Sequence, residues 1–254
     1  MDRYVTVKVV ETRIEKDLAR QIFDLTWYKQ NGTEITANLL QAMIHSGAYL
    51  AVAFLSGKCV GASFAFPAKP TLRRLHSHMT AVSEKHRNMG IGFALKNHQK
   101  VWANNNGYSE ITWTFDPLIC KNARFNLIKL GAEIESYLPN FYGEMLDTIN
   151  FKDESDRLMA CLKTSDNYSK AKLIIENPNF DDVLIKIPYN IMMLRKTNYR
   201  ESLKARLTVR NQFTEAFGRN YKVVGFSKNN EYILRKVSET QKLERLSLRK
   251  QQKL

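Results

Sequence analysis

The sequence predicts a mixed α/β fold that carries a smaller α+β extension towards its C-terminal end. Three observations lead there. Strand-like and helix-like periodicities alternate through residues 4–164. A β-compatible run ending at Val82 passes through a polar turn into Arg87-Asn88-Met89-Gly90-Ile91-Gly92 and then into a helical run. Beyond that region the composition turns basic, with 19 Lys and Arg against 9 Asp and Glu in residues 166–254.

Residues 6–10 read as a strand, 17–29 as an amphipathic helix, and 36–45 as a second helix closed by Gly47. Residues 48–55 and 59–66 read as strands joined by Ser56-Gly57-Lys58, a hairpin signal. The next strand covers 72–82, where alternation sets His76, His78 and Thr80 on one side and Leu75, Ser77 and Met79 on the other. A helix spans 90–106, with Ile91, Ala94, Leu95, Val101 and Trp102 on one side and Gly107 as its left-handed cap. Glu110–Phe115 is a strand ending at Asp116-Pro117. Residues 122–130 form a helix with Ala123, Leu127 and Leu130 on one stripe, and Arg157–Lys163 is a strand.

In the extension, residues 173–175 and 183–187 read as strands and 199–219 as a helix. Tyr221–Phe226 and residues 232–236 make a hairpin, with a polar, basic stretch after it. The expected division is 1–164, 165–236 and a tail of 237–254.

A hydrophobic content of 44% with 25% charged residues is that of a globular protein. Cys59, Cys120 and Cys161 are widely spaced and form no Cys-x-x-Cys, which argues against a disulfide scaffold or a zinc site. No metal is expected. The N-terminal residues lack an apolar signal core, and the longest apolar run, 48–55, is far too short to cross a bilayer. The expectation is a cytoplasmic protein with no membrane partner, compatible with a homodimer. Of the formal net charge of +14, +10 lies in residues 166–254. That surplus suits an anionic ligand or an acidic partner; nucleic acid is disfavoured because the basic segment lacks interleaved aromatic platforms.

The glycines at the strand-to-helix junction are the strongest chemical signal. They let successive backbone N–H groups face one concavity, and the helix adds its positive dipole end, so the junction suits a pyrophosphate. A dinucleotide fingerprint requires Gly-x-Gly-x-x-Gly directly after the strand and an acid about 20 residues on. Here the order is Arg-x-x-Gly-x-Gly, and Glu110 opens the following strand instead. The arrangement resembles motif A of the GNAT superfamily of acyl-CoA-dependent N-acyltransferases. The order of elements over about residues 4–164 is similar too. Asp116-Pro117, the Asn122–Ala132 segment, Asn140-Phe141-Tyr142-Gly143 and Ser155-Asp156-Arg157-Leu158 look like a bacterial branch of predicted acyltransferases.

The resemblance implies a mostly antiparallel sheet with splayed strands, acetyl-CoA or another acyl-CoA as co-substrate, and a small amine as acceptor. It implies that Arg87, Asn88, Met89, Gly90, Ile91 and Gly92 cradle the pyrophosphate, that Ala81 and Val82 pair with the pantetheine arm, and that Asn122 and Asn126 join the cofactor set. Many relatives place a general base, commonly Glu, on the strand before the loop; here His78 is the candidate base and His76 a substrate-binding neighbour. An imidazole titrates in the useful range. The competing reading makes both structural residues of a central strand. Many relatives carry a general-acid Tyr four residues before the Gly that closes the second helix; that position is Leu127 here. Tyr142 is the substitute donor to the thiolate, against the alternative of a core tyrosine with a satisfied hydroxyl. Cys120 reads as a small buried thiol rather than a nucleophile.

In the C-terminal helix, Leu203, Leu207, Thr214 and Phe217 define an apolar sector with Arg210 at its centre and Arg206 at its flank. Either they pair with an internal acid such as Asp156 or Glu144, or they receive a carboxylate. The latter would suit an amino acid acceptor or a succinyl donor. The sequence thus points to transfer of an acetyl or other short acyl group to a primary amine of a small molecule. The alternatives are a protein or peptide N-acetyltransferase, and a non-catalytic CoA-binding protein whose basic half contacts nucleic acid.

Overall fold

The computed structural model describes residues 4–27, 35–68, 70–143, 145, 153–165, 175 and 177–237. Residues 173 and 174 of the expected 173–175 strand and the tail beyond Val237 lie outside them. The main sheet has seven strands in the order β1-β2-β3-β4-β5-β7-β6, where β1 is Val5–Val9, β2 Tyr49–Leu55, β3 Lys58–Pro67, β4 Arg74–Val82, β5 Glu110–Phe115, β6 Glu133–Leu138 and β7 Arg157–Lys163. A separate three-stranded sheet runs β8-β10-β9, with β8 Val183–Lys186, β9 Tyr221–Phe226 and β10 Glu231–Lys236. The mixed α/β class is as expected. The chain groups into two compact units, Met1–Trp113 with Lys163–Ser165, and Thr114–Leu162 with Asp166–Leu254.

In the first unit, α1 (Arg13–Thr26) starts four residues before the expected 17–29 helix. The cause is a capping box: Thr12 Oγ1 accepts from the Glu15 N–H while the Glu15 carboxylate accepts from the Thr12 N–H, satisfying two end groups. Helix α2 (Ala37–His45) comes next. Ala19, Ile22 and Phe23 of α1 and Leu40 of α2 close over Leu50, Val52, Ala62, Phe64, Met79 and Ala81 on one face of the sheet. On the other face α3 (Ile91–Asn105) sets Ile91 and Leu95 against Ala53, Leu55 and Val60. Each Leu, Ile, Val, Phe or Met among them, fully buried, contributes about 1.5–3 kcal/mol. Val101, expected on the buried side of this helix, is instead 53% exposed; Lys96, Gln99 and Lys100 take the buried positions. No helix among the described residues is long and apolar enough to cross a membrane.

In the second unit the expected 122–130 helix is an α-turn, α4 (Cys120–Ala123), running into a π-helical stretch, Arg124–Lys129. The Leu130 N–H reaches the Phe125 carbonyl, five residues back. Strand β6 was not expected: its weakly alternating Glu-Ile-Glu-Ser-Tyr-Leu has no clear apolar face. Nor was α5 (Ile191–Thr197), too short to show a period and started by Asn190, whose side chain accepts from Met193 N–H. Helix α6 (Tyr199–Gly218) lies where expected, but its buried stripe is Ser202, Arg206, Val209, Phe213 and Ala216. Leu207 is exposed, so the apolar sector read from sequence is rotated from the one that packs. Tyr137, Phe213, Phe226 and Tyr232 form a connected ring cluster, and the buried Tyr232 hydroxyl donates to the Pro117 carbonyl at 2.8 Å.

Candidate active site

The glycine loop lies wholly in the first unit. Val82 ends β4, and the Ser83 N–H donates to the Val60 carbonyl at 2.9 Å, tying the loop to β3. A 3-10 turn, Glu84–His86, is braced by a 2.7 Å hydrogen bond between Ser83 Oγ and His86 Nδ1. The chain then turns through left-handed Asn88 (φ 66°) and Gly90 (φ 80°), and Gly90 caps α3. A side chain at Gly90 would be strained by that angle, which favours glycine. Arg87, Asn88, Met89 and Gly90 are exposed or half-buried, Gly92 is half-buried, and Ile91 points inward with 1% exposure. The N–H groups of the first turn thus stand at an accessible helix end, where intrahelical partners are missing by geometry.

The seat of that helix depends on Gly61. A Cβ there would lie 3.0 Å from the Ala81 carbonyl oxygen, 3.1 Å from Ile91 Cγ2 and 3.1 Å from Leu95 Cδ1. The absent side chain lets α3 approach β3, a contact that local sequence pattern does not report.

Strand β4 departs from the expected alternation. Its register with β3 passes from Phe64↔Met79 to Ala65↔Ser77, so His78 is the extra residue of a β-bulge. The two halves of the strand therefore present opposite parities. Met79 and Ala81 pack into the α1 core, whereas Ser77 turns to α3 and accepts from Lys96 Nζ at 2.7 Å. Thr80 lies on the α3 side, hydrogen-bonded to Ser63, and does not share a face with His76 and His78. That corrects the sequence reading, and the bulge is its physical reason. The parallel ladder with β5 runs only from Arg74↔Glu110 to His76↔Thr112. Beyond it, the described β4–β5 ladder ends, and the edge of β4 through Ala81 and Val82 continues towards the loop.

His76 and His78 stand together, ring centroids 6.2 Å apart, and both contact Phe66 at 5.3 and 5.6 Å. His76 Nδ1 is 3.4 Å from Thr112 Oγ1. Burial, helped by His78 and Lys96, lowers the His76 pKa to about 4, so His76 is neutral near pH 7. His78 is exposed.

Behind the strand lies a polar core that sequence reasoning missed. Lys96 is 5% exposed; its Nζ donates to Ser77 Oγ and to Gln99 Oε1 (3.4 Å) and sits 4.0 Å from the centre of the Trp113 ring. Gln99 Nε2 donates to Ser63 Oγ at 3.0 Å, and Ser63 Oγ lies 3.0 Å from Thr80 Oγ1. Burial lowers the Lys96 pKa to about 7. Lys96 and Gln99 stand at i and i+3 of a helix read as amphipathic, where they look like part of its polar side.

The remaining candidates belong to the second unit. Asn122 is half-buried in α4, and Asn126 is buried in the π-helical stretch, where its backbone carbonyl accepts from Ala132 N–H. Leu127 is fully buried. Tyr142 is 41% exposed and is no core tyrosine; its hydroxyl bonds with Thr114 Oγ1 at 3.0 Å and its ring lies 5.5 Å from the Arg157 guanidinium. Cys120 is half-buried and donates to Asn230 Oδ1.

Arg206 and Arg210 do not form an open carboxylate receptor. Arg206 has no exposed surface; its Nη2 holds Asp153 Oδ2 at 2.8 Å and Asp116 Oδ2 at 3.1 Å, where Arg195 joins at 3.0 and 2.6 Å. Arg210 pairs with Asp156 at 2.6 and 2.9 Å and with Glu154. Asp156 also accepts from the Tyr137 hydroxyl and the Asn140 N–H. Burial would raise the Asp116 pKa, but Arg206, Arg195 and Arg157 together bring it down to about 2. Internal carboxylates occupy both arginines, so the expected substrate-binding role is withdrawn. Asp156 was one of the two expected partners; Glu144 lies outside the described residues.

A family model described as the acetyltransferase (GNAT) family matches residues 16–124. Among solved structures, aminoglycoside 6'-acetyltransferase type Ii is 20% identical over 64% of this chain and 99% of its own, with a TM-score of 0.51. A putative acetyltransferase of the GNAT family from Desulfovibrio desulfuricans is 15% identical over 64% of this chain and 100% of its own, with a TM-score of 0.50. An aminoglycoside 6'-N-acetyltransferase complexed with coenzyme A is 17% identical over 64% and 98%, with a TM-score of 0.49. At these identities the likeness to the first two shows the fold alone. No curated protein sequence matches the chain.

Proposed function

We propose, from the match of residues 16–124 to the GNAT acetyltransferase family model, that the chain transfers an acetyl group from acetyl-CoA to a primary amine of a small molecule. The observation that carries this reading is a strand that parts from its neighbour after His76 and leads, through Ala81 and Val82, to an accessible helix end capped by left-handed Gly90. An extended acyl-pantetheine arm can add to such an edge as a strand does, and the loop N–H groups from Arg87 to Gly92 suit a diphosphate.

Transfer to an amine requires a proton acceptor, a donor to the tetrahedral oxygen and a proton for the departing thiolate. In this reading His78, exposed at the bulge, takes the amine proton. Neutral His76 and Phe66 beside it offer the acceptor a flat, uncharged wall. Tyr142 is the proposed proton donor to the thiolate. With Arg206 and Arg210 occupied, a preference for an acidic acceptor or a succinyl donor has lost its support.

The test is calorimetric titration with acetyl-CoA followed by a thiol-release assay over a panel of amines, including an amino acid, an aminoglycoside and a short peptide. Binding of acetyl-CoA and turnover with a small amine are expected. His78→Ala is expected to lower kcat by about 10²–10⁴-fold, with Tyr142→Phe lowering it less. No affinity for acetyl-CoA would overturn the reading, and unchanged turnover in His78→Ala would remove the base.

A further inference from the structure

The buried chain behind β4 has a direction that stems from donor and acceptor chemistry. An ammonium only donates, so Lys96 Nζ fixes the Gln99 amide with Oε1 towards itself and Nε2 towards Ser63. Ser63 has no exposed surface, and Thr80 Oγ1 at 3.0 Å is the acceptor that the described residues offer its hydroxyl hydrogen. A buried hydroxyl with an acceptor in reach uses it. Having accepted a hydrogen bond from Gln99, Ser63 passes the polarity on by donating to Thr80. Thr80 Oγ1 therefore accepts, and its own hydrogen is left to point away from the chain. Thr80 is half-buried, immediately precedes Ala81 and Val82, and lies on β4 beyond the end of its ladder with β5.

We propose that Thr80 is a hydrogen-bond donor to the acyl-pantetheine arm, held in the donating sense by Lys96, Gln99 and Ser63. This rests on the proposed function and adds a positioning group on the α3 side of the strand, opposite the imidazoles. The arm's carbonyl oxygens are its natural acceptors. A hydroxyl that cannot turn back to Ser63 meets one of them without first breaking an internal bond, so little orientation is lost on binding.

The test is titration of the full chain with acetyl-CoA at pH 6, below the lysine's titration. Absence of binding by the wild type overturns both the proposed function and this inference; with binding established, the variants test the inference alone. Thr80→Val is expected to weaken binding about fivefold to tenfold, whereas Thr80→Ser stays within about twofold. Gln99→Glu provides the sharper reading. Its carboxylate still accepts from Lys96 but cannot donate to Ser63, so Ser63 turns its hydrogen inward and Thr80 must donate to Ser63. The variant is expected to lose affinity as Thr80→Val does although Thr80 is intact, and the double variant is expected to lose no more than either single one. Equal affinity in Thr80→Val and wild type, wild-type affinity in Gln99→Glu, or additive losses would overturn the inference. Should Gln99→Glu fail to melt cooperatively, the ratio of Thr80→Val to Thr80→Ser decides.

Discussion

Two buried polar clusters in this chain are built on opposite plans. Behind β4, Lys96 donates to Ser77 and Gln99, neutral groups continued by Ser63 and Thr80, with the Trp113 ring 4.0 Å from its ammonium. In the second unit, Arg195 and Arg206 are interleaved with Asp116 and Asp153, and Arg210 with Asp156 and Glu154, so cations and carboxylates alternate. A charge among neutral partners has a depressed pKa and can change state within the ordinary pH range, which the lysine's value of about 7 reflects. Charges among opposite charges have their ionised states reinforced, as at Asp116, and they do not switch. The first cluster is suited to orienting hydrogen bonds; the second fixes the conformations of α5, α6 and residues 153–156.

The largest effect that would break this contrast is expected in the ion cluster. Arg206→Met leaves Asp116 and Asp153 with one guanidinium fewer in a dry interior and is expected to destabilise the fold by about 3–5 kcal/mol, measured by urea unfolding. A loss under about 1 kcal/mol would show that the cluster is hydrated and not a lock.

The seat of α3 comes next. Gly61→Ala forces a methyl against the Ala81 carbonyl and the Ile91 and Leu95 side chains, at an expected cost of about 1–3 kcal/mol. Because Ile91 opens the helix behind the glycine loop, acetyl-CoA affinity is expected to fall as well. Loss of stability with unchanged affinity would mean that the loop holds its shape without the helix.

The smallest effect sharpens the comparison through pH. Lys96 has a folded pKa of about 7 and an ordinary value of 10.5. Below pH 7 both states hold the proton and the cost of burial is present in full. Between pH 7 and 10.5 the unfolded chain binds a proton that the folded one has released, so stability rises with pH, by at most about 1.4 kcal/mol per unit. Lys96→Met is expected to flatten that rise in denaturation measured from about pH 6 to 10. Parallel wild-type and variant profiles would mean that the lysine is charged throughout and therefore better paired than the neutral cluster suggests.

Most elements were legible because their signals are local. The Ser56-Gly57 hairpin, the Gly47 and Gly107 caps and the strands at Glu110–Phe115 and Arg157–Lys163 come from turn chemistry and periodicity. Two errors, the face assigned to Thr80 and the form of the 122–130 helix, share a cause, which is one residue too many. The bulge at His78 reverses parity within β4, and the π-helical stretch at Arg124–Lys129 rotates the later residues of its own helix; neither changes composition enough to be seen. The loop residues around Gly90 were legible from the glycine spacing. The polar groups behind the strand were not, since Lys96 and Gln99 look like solvent-facing residues until the serines on β3 and β4 supply their partners. Arg206 illustrates the converse: a helical wheel located an unusual arginine, but only long-range partners from Asp116 and Asp153 show what it does.

The extra residue at His78 also governs how this strand tolerates change in length. Deleting His78 would restore unbroken alternation from Arg74 to Val82 and leave the pairs on either side of the cut, Phe64 with Met79 and Ala65 with Ser77, on the faces they now hold. Met79 and Ala81 would keep their apolar bed and Thr80 its place beside Ser63, while the strand would lose the exposed imidazole that the bulge projects. The bulge therefore serves to present that imidazole, and the residues on either side of it would keep their partners without it.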